Sequence, residues 1–375
     1  MSGAWAFTIK SKRRLRAGKH LREPRVPVTL ESLKSVSYLR TENLGDGRVV
    51  KLMPLWDGIA WHLWLDTPEG LIEGKVVGVS EGDYIGKGAA KETDLYIPFI
   101  DFMWQRASWP EIVEIVMAIA DDFHNMGTSV AKLRLFYDTR SKLAPSGSAR
   151  FAATELEYLV MLCRTVFDLL QEMISITWGG KVRLLDPAAE KKRKQIKLPD
   201  TFSRMVLADK QRPRTPAEIE SRYGVPPLLA NEYARLTPFF SRLRSIRDNV
   251  VHGRKGIGFI FDTERGFCVK PNISPFSDFT GWRPEHYYNE HIASALPWLA
   301  DLVLQTIDAC NSLMLAFATV VMFPAEIAPG YRIFVRGAYT PALAQVLDVH
   351  RGGSPWWGDA ASTQQPDAPH DPTAS

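Results

Sequence analysis

Cysteine is scarce in this sequence of 375 residues, which contains three, Cys163, Cys268 and Cys310. Their odd number and wide separation argue against a disulfide framework and against a paired zinc site. Cys163 lies in an apolar stripe with helical spacing, where a thiol behaves as a small hydrophobic side chain. The cysteine usage is therefore typical of a chain that folds in a reducing cytoplasm.

Familiar cofactor and metal signatures are also missing. The sequence has no Walker P-loop, no Rossmann glycine fingerprint, no zinc-finger spacing and no Gly-x-Ser-x-Gly elbow. Its longest apolar run, residues 313–323, is far shorter than the ~20 residues that span a bilayer. No apolar segment of a secretory signal follows the N-terminal basic run. We therefore expect no cofactor, no bound metal and no membrane span, and a cytoplasmic protein.

Acidic residues are nearly absent from positions 1–25, which hold eight Lys or Arg against a single Glu and so carry a net charge of +7. Because the whole chain has a formal net charge of +4, the remainder carries −3. This asymmetry predicts a flexible basic arm that forms a solvated leader, with docking on nucleic acid as the alternative. At the other end, residues 351–375 contain few large apolar side chains and predict a disordered tail.

Residues 26–145 have the pattern of an α+β domain of unknown role. β-branched and aromatic residues between turn signals predict short strands, at 48–56, 59–66 and 73–80. Apolar residues at helical spacing then predict a helix from Pro110 to Met126, and residues 132–137 a last strand. The Pro, Ser and Gly residues at 141–148 indicate a linker to a second domain.

Residues 150–325 change to a helical period. Apolar side chains every three or four positions predict helices, over 152–176, 227–236, 238–252 and 284–321. Kinks or breaks are expected at Pro238 and Pro297, since proline lacks an amide donor. Two short apolar segments, 257–261 and 267–270, flank a polar turn and predict a β-hairpin. The expected fold is an α+β domain followed by an all-α helical bundle with a small β-hairpin insertion.

The helix predicted to end at residue 252 carries the most concentrated chemistry in the chain. Its last turns contain Arg247-Asp248-Asn249-Val250-Val251-His252, followed by Gly253, a favourable residue for ending a helix. Asp248 and His252 are four positions apart and differ by only about 40° around the helix, so the carboxylate can orient the imidazole. Arg247 lies about 140° from His252. The two side chains can therefore share one phosphate where the helix frays or across a dimer interface.

This segment resembles the HEPN superfamily, whose signature is an arginine, a polar residue, three further residues and a histidine at the end of a helix. Three further segments add to the resemblance, Leu198–Phe202, Val225–Pro227 and Arg244–Asp248. The resemblance as a whole covers residues 150–325. The resemblance implies a HEPN-like helical bundle, a homodimer with both motifs in one cleft, and RNA as the substrate. It also implies a context of toxin activity or anti-phage defence, with a separately encoded antitoxin or regulator.

Metal-independent RNA cleavage needs a base for the 2′-hydroxyl, an acid for the leaving 5′-oxygen and a cation for the phosphorane. The hypothesis assigns His252 as acid or base, Arg247 as phosphate clamp and Asp248 as the residue that orients the imidazole. Asn249 and Arg244 are supporting residues. The alternative is a non-catalytic HEPN-like scaffold that dimerises and binds a protein or nucleic acid. In that case Arg244 and Asp248 form an ordinary ion pair, and His252 stabilises a helix end.

For three other groups of residues we expect a structural role, with ligand binding as the alternative. Asp121, Asp122 and His124 lie close together in sequence, but neighbouring carboxylates on a helix point about 100° apart. This favours a polar helix end over a site for a divalent cation. His62 is expected to be a hydrogen-bonded strand residue rather than a ligand. The run Lys191–Lys197 predicts a solvated loop, with phosphate contact as the alternative.

Overall fold

The computed structural model describes residues 28–45, 47–251 and 256–358, apart from the side chain of Lys210. The predicted basic arm at 1–25 and His252 lie outside the described residues, as does the last part of the predicted tail. Within the described part the fold mixes α and β structure. Strands dominate the N-terminal region and long helices the C-terminal part.

Ten α-helices occur in the described residues. In chain order they are α1 (Leu30–Leu33), α2 (Pro98–Arg106), α3 (Pro110–Asp138), α4 (Gly147–Ile176), α5 (Pro187–Arg193), α6 (Phe202–Val206), α7 (Pro216–Tyr223), α8 (Pro227–Val251), α9 (Ala295–Val320) and α10 (Thr340–His350). The strands in the same part of the chain are β1 (Leu55–Trp56), β2 (Trp61–Thr67), β3 (Gly70–Val76), β4 (Gly82–Gly86), β5 (Leu95–Tyr96), β6 (Arg183–Leu184), β7 (Phe261–Thr263), β8 (Gly266–Val269), β9 (Ala293–Ser294), β10 (Val321–Met322) and β11 (Arg332–Arg336).

The main sheet has six strands in the order β3-β2-β1-β4-β11-β5. β1 and β4 run parallel, and the other neighbouring strands are antiparallel. The predicted strands at 48–56, 59–66 and 73–80 correspond to β1, β2 and β3, although the first is reduced to two residues. β11 comes from the C-terminal part of the chain and inserts between β4 and β5, so both ends of the described chain build this sheet.

A buried ion pair ties β11 to the rest of the sheet. Arg336 Nε and Nη2 donate to the two carboxylate oxygens of Asp94 at 2.8 and 2.5 Å, and the two side chains are 8% and 1% exposed. The Tyr84 hydroxyl and the Lys91 backbone N–H also donate to Asp94, at 2.7 and 2.9 Å. Because both oxygens have charged or polar donors, the carboxylate is compensated away from water.

α3 is longer than the sequence pattern predicts. The predicted strand at 132–137 is wrong, because these residues form the last turns of α3. Met126, Val130 and Leu133 are buried at spacings of four and three, which continues the apolar stripe that packs on α4. The helix therefore runs on to Asp138 instead of ending at Met126.

α8 is continuous through Pro238, where a break or kink is predicted. The hydroxyl of Thr237 donates to the carbonyl of Tyr233 at 2.8 Å, and Phe239 and Phe240 are buried in the core. Burying two aromatic side chains on this turn outweighs the one backbone hydrogen bond that proline cannot make. The two predicted helices are thus one helix of 25 residues.

The helix predicted over 284–321 begins only at α9, because its first part has another structure. Ser294 Oγ accepts a backbone N–H two residues further on and caps the helix. Pro297 therefore falls in the first turn, where its missing N–H does not interrupt the helix. Ahead of α9, β9 pairs with β8 and extends the hairpin to three strands. The strand predicted at 267–270 corresponds to β8, whereas the first strand is β7 and shares only Phe261 with the predicted 257–261.

One apolar core joins the sheet-rich and the helical parts, with side chains from Leu33 to Trp357. Residues 141–146 of the predicted linker lie in the turn between α3 and α4, which pack on each other, and its last two residues begin α4. Trp356 and Trp357 are 2% and 4% exposed. The predicted disorder of the tail is therefore wrong for residues 351–358, because two buried indoles anchor them to the core.

α9 is long and apolar enough to cross a membrane by length and composition alone, and no other helix in the described residues meets that test. It packs against α4, α8 and α10, and 44% of its most apolar stretch is buried. Asp301 of α9 pairs with Arg242 of α8 at 2.8 Å. A core helix of a water-soluble fold has the same properties, so the composition of α9 does not by itself indicate a membrane span.

Candidate functional site

The C-terminal half of α8 separates an apolar face from a polar one. Leu243 and Ile246 are buried in the core, where α8 packs against α4 and α9. Arg244, Arg247 and Asp248 are only partly buried. Because residues three and four apart share a helix face, α8 brings these three charged side chains of the predicted site together on its open side.

Asp248 lies between two guanidinium groups. Arg247 Nη1 donates to Asp248 Oδ1 at 2.9 Å, and Arg244 Nε lies 3.5 Å from Asp248 Oδ2. The side chain of Arg247 is 43% exposed and that of Asp248 36%. Solvent and a ligand can therefore reach the cluster.

Two opposing influences act on the carboxyl of Asp248. Partial burial raises its pKa, but the hydrogen bond from Arg247 and the charges of Arg244 and Arg247 together lower it by more, so the pKa lies below its ordinary value. Asp248 is therefore ionised at neutral pH. The three side chains carry a net charge of +1, which favours an anionic ligand.

These contacts bring together three residues of the predicted site, Arg244, Arg247 and Asp248, but not Asn249 or His252. Arg244 and Asp248 form the i, i+4 ion pair that their spacing predicts. Asn249 is half-buried, and its side chain makes no hydrogen bond to the described residues. His252 lies outside the described residues, so its contact with Asp248 stays a prediction.

Arg244 also joins the site to a segment that no sequence pattern connected with it. Arg244 Nη1 donates to the side-chain carbonyl of Gln211, in the turn between α6 and α7. A bridge between Leu207 and Pro213 closes this turn. Because Gln211 and Arg244 are 33 residues apart, no local periodicity could indicate their contact.

A second concave surface lies on the other side of α8. Arg242, about 200° around the helix from Arg244, lines a cleft of about 480 Å³ with His286 and Asp301. His286 is buried, and its Nδ1 accepts the backbone N–H of Arg283 at 3.2 Å. Burial, assisted by the charge of Arg283, lowers the pKa of His286. The sequence carries no local signal for this cleft, since its walls come from segments far apart in the chain.

The acidic pair Asp121 and Asp122 lies on α3. Across residues 28–45, 47–251 and 256–358, no group of three or more His, Cys, Asp or Glu side chains could hold a metal ion. Burial, together with the charge of Asp121, raises the pKa of Asp122 to about 6. Because α3 continues to Asp138, the pair lies within the helix rather than at the predicted helix end.

His62 has the structural role predicted from the sequence. Its Nε2 contacts Asp57 Oδ2 at 2.8 Å, and its Nδ1 contacts Glu73 Oε1 at 2.5 Å. The hydrogen bond to Asp57 has the largest effect and raises the pKa of His62; burial lowers it by less, and the hydrogen bond to Glu73 adds to the rise. Both ring nitrogens have a carboxylate partner, so His62 is a hydrogen-bonded strand residue.

Compared with known proteins, the chain matches no family model, no curated protein and no solved structure. The chemistry of the site is therefore argued from its own side chains. Arg244, Arg247 and Asp248 form an accessible, net positive cluster near the end of a long helix, which suits a phosphate group. Acid–base chemistry at this cluster would come from His252, four positions after Asp248.

Proposed function

We propose that this protein is a HEPN-like, metal-independent endoribonuclease that cleaves RNA phosphodiesters at the end of α8. The observation that carries the proposal is the contact between Arg247 and Asp248 on the open side of α8, one turn before His252 in the sequence. The guanidinium of Arg247 is half-exposed and positioned by a carboxylate, and its planar fork can bind two phosphate oxygens. The packing of α8 against α4 and α9 supports a helical bundle as its scaffold.

Each residue has a defined role in the proposed reaction. His252 removes the proton of the 2′-hydroxyl, whose oxygen attacks the adjacent phosphorus, and a second imidazole protonates the leaving 5′-oxygen. The products are a 2′,3′-cyclic phosphate and a 5′-hydroxyl. Arg247 stabilises the charge that develops on the phosphorane. Asp248 positions Arg247 through the 2.9 Å contact and orients His252 through the helical spacing.

The proposed reaction uses two imidazoles, whereas one chain supplies a single His252. A homodimer that brings two copies of the motif into one cleft provides both the acid and the base. The partly exposed Arg247 leaves the open side of α8 accessible for such an arrangement. The HEPN resemblance further implies a role in toxin activity or anti-phage defence, with a separately encoded antitoxin or regulator.

RNA cleavage in excess chelator tests this function. Wild-type protein, Arg247→Ala and His252→Ala are incubated with total RNA, and Arg235→Ala serves as a matched control. Arg235 lies on the same helix, pairs with Glu232 at 2.7 Å and is 58% exposed, so its loss removes a similar ion pair away from the site. We expect the wild type and the control to cleave RNA and both site variants to lose cleavage.

A non-catalytic scaffold is the competing hypothesis, and one observation favours it. The carboxylate of Asp248 is already shared by Arg244 and Arg247, as in the ordinary ion pairs of an exposed helix. Equal RNA binding by all samples with no cleavage in any of them would support the scaffold and overturn the ribonuclease.

A further inference from the structure

A basic groove lies beside α8, between the segment that precedes α6, the turn that follows α6 and the end of α7. It encloses about 580 Å³. Four cationic and two acidic side chains line it, Lys197, Arg204, Arg214, Arg222, Asp200 and Asp209. The lining therefore carries a net charge of +2, which attracts an anionic ligand.

Three cations of the groove are accessible to a ligand, since Lys197, Arg204 and Arg222 are exposed. Within the lining, Arg204 pairs with Asp200 at 3.3 Å, and these side chains are 72% and 68% exposed. Such a solvent-exposed pair is weak and screened by salt. The pair therefore does not prevent Arg204 from binding a phosphate.

Arg214 is the one cation of the lining that is not exposed, and its contacts fix its position. Its guanidinium carbon lies 5.9 Å from the centre of the Tyr223 ring, and Tyr223 Oη donates to the backbone carbonyl of Arg204 at 2.6 Å. Arg214 Nε is buried and has no hydrogen-bond partner among the described residues. A buried donor without an acceptor is unfavourable. An anion beside it in the groove would supply the missing acceptor.

The lysine-rich run before the groove extends its positive charge. The first part of the run, up to Arg193, lies in α5, so the predicted solvated loop is wrong for this part. Arg193 Nε forms an ion pair with Glu190 Oε2 at 2.7 Å. Three lysines of the run lie outside the groove lining and are exposed. We call them the basic ledge, Lys191, Lys192 and Lys194. Gly224, at the end of α7, lies against Lys192. The basic ledge is therefore adjacent to the groove.

The groove is also connected to the site on α8. Leu207 and Asp209 of its wall belong to the turn in which Gln211 accepts a hydrogen bond from Arg244. Arg244 in turn contacts Asp248. Neighbouring residues thus link the basic ledge, the groove and the cluster at the end of α8.

We propose that the basic ledge and the groove bind the phosphate backbone of a single RNA strand whose scissile phosphate lies at Arg247. This inference rests on the proposed ribonuclease function. One small anion cannot contact cations that are spread over α5, α6 and α7, whereas a nucleic acid strand presents a phosphate at every nucleotide. The exposed cations carry the affinity, and Arg214 supplies a buried donor within the path.

The test measures RNA binding and RNA cleavage separately. Binding of a fluorescently labelled RNA oligomer is followed by anisotropy at several salt concentrations in a His252→Ala background, where the RNA stays intact. The groove variant combines three substitutions, Lys197→Gln, Arg204→Gln and Arg222→Gln. The control variant removes three exposed cations elsewhere and has the same net charge, Lys75→Gln, Lys91→Gln and Arg150→Gln. Matching circular dichroism melts show that both variants are folded.

We expect the groove variant to bind RNA on the order of 100-fold more weakly at about 0.1 M salt, with a salt slope smaller by about 2, because each single-strand phosphate contact contributes about 0.7. The control should bind like the parent. Equal affinities of the groove variant and the control would overturn the inference.

Cleavage by the same proteins with His252 intact reports on the ribonuclease itself. If the groove variant loses binding while no protein cleaves RNA, the groove stands and the proposed function fails.

Discussion

Replacing Arg336 by Met tests how firmly β11 is held in the main sheet. The substitution keeps an extended side chain but removes both hydrogen bonds from the guanidinium to Asp94, a carboxylate that is 1% exposed. Breaking a buried ion pair from one side costs about 3–5 kcal/mol, because the remaining charge is uncompensated. Two donors, the Tyr84 hydroxyl and the Lys91 N–H, stay with Asp94. We therefore expect a loss of about 3 kcal/mol in the free energy of unfolding.

The pH dependence of this loss follows from the carboxyl of Asp94. Burial raises its pKa, but hydrogen bonds from Arg336, Tyr84 and Lys91 lower it by more, so in the wild type its pKa lies below the ordinary value. Its contribution to stability is then present above the unfolded pKa of about 3.9 and lost as the pH falls through the folded pKa. Without Arg336 burial prevails and the folded pKa rises. The variant should therefore be least stable at neutral pH and recover part of its deficit on mild acidification.

Urea unfolding at 25 °C, followed by circular dichroism at pH 7 and pH 5, measures both effects. Arg40→Met is the control, because the side chains of Arg40 and its partner Glu42 are 66% and 67% exposed, and its loss should cost no more than about 1 kcal/mol. The double variant Asp94→Asn, Arg336→Met should regain stability over Arg336→Met, since the buried charge is gone. A deficit in Arg336→Met no larger than that of the control, and unchanged between the two pH values, would refute the reasoning.

Three further predictions concern other parts of the molecule. His62→Gln should cost on the order of 0.5–1 kcal/mol at pH 6, because Asp57 and Glu73 are 41% and 48% exposed and solvent screens both pairs. The pKa of His62 is raised in the fold, so its contribution is complete below about 6.5 and is lost as the pH rises through the folded pKa; unfolding curves at pH 6 and 9 should show a deficit that shrinks at the higher pH. Asp248→Asn should leave RNA binding intact and slow cleavage by about tenfold or more, because a neutral amide orients Arg247 and the imidazole less firmly; an unchanged cleavage rate would remove its positioning role. Trp357→Ala should destabilise by about 3 kcal/mol in thermal or urea unfolding, because the indole is 4% exposed and packs on Phe267; a loss below about 0.5 kcal/mol would mean that this end of the chain is not anchored.

Much of the helical part could be predicted from local patterns. The apolar stripe over 152–176 indicates α4, and the segments at 257–261 and 267–270 indicate the hairpin of β7 and β8. The ion pair between Arg244 and Asp248 also follows from their spacing on one helix. In each case the interacting groups are a few residues apart, so helical or strand geometry alone brings them together.

Other features depended on partners that are far away in the sequence. Residues 132–137 alternate locally, but burial against α4 makes them helical. β11 lies between two N-terminal strands, and its place depends on a carboxylate at Asp94. The tail at 351–358 looks polar apart from two tryptophans, whose burial orders it.

The sequence by itself determined which face of each long helix is apolar and which residues at the end of α8 can bind a phosphate. The tertiary structure alone decided what covers those faces, and that Arg244 reaches Gln211 and so joins the cluster on α8 to the basic groove. The physical reason is that the spacing of side chains along a chain fixes their direction around a helix or strand. The choice of the distant element that packs there depends on the burial and charge compensation of the whole fold.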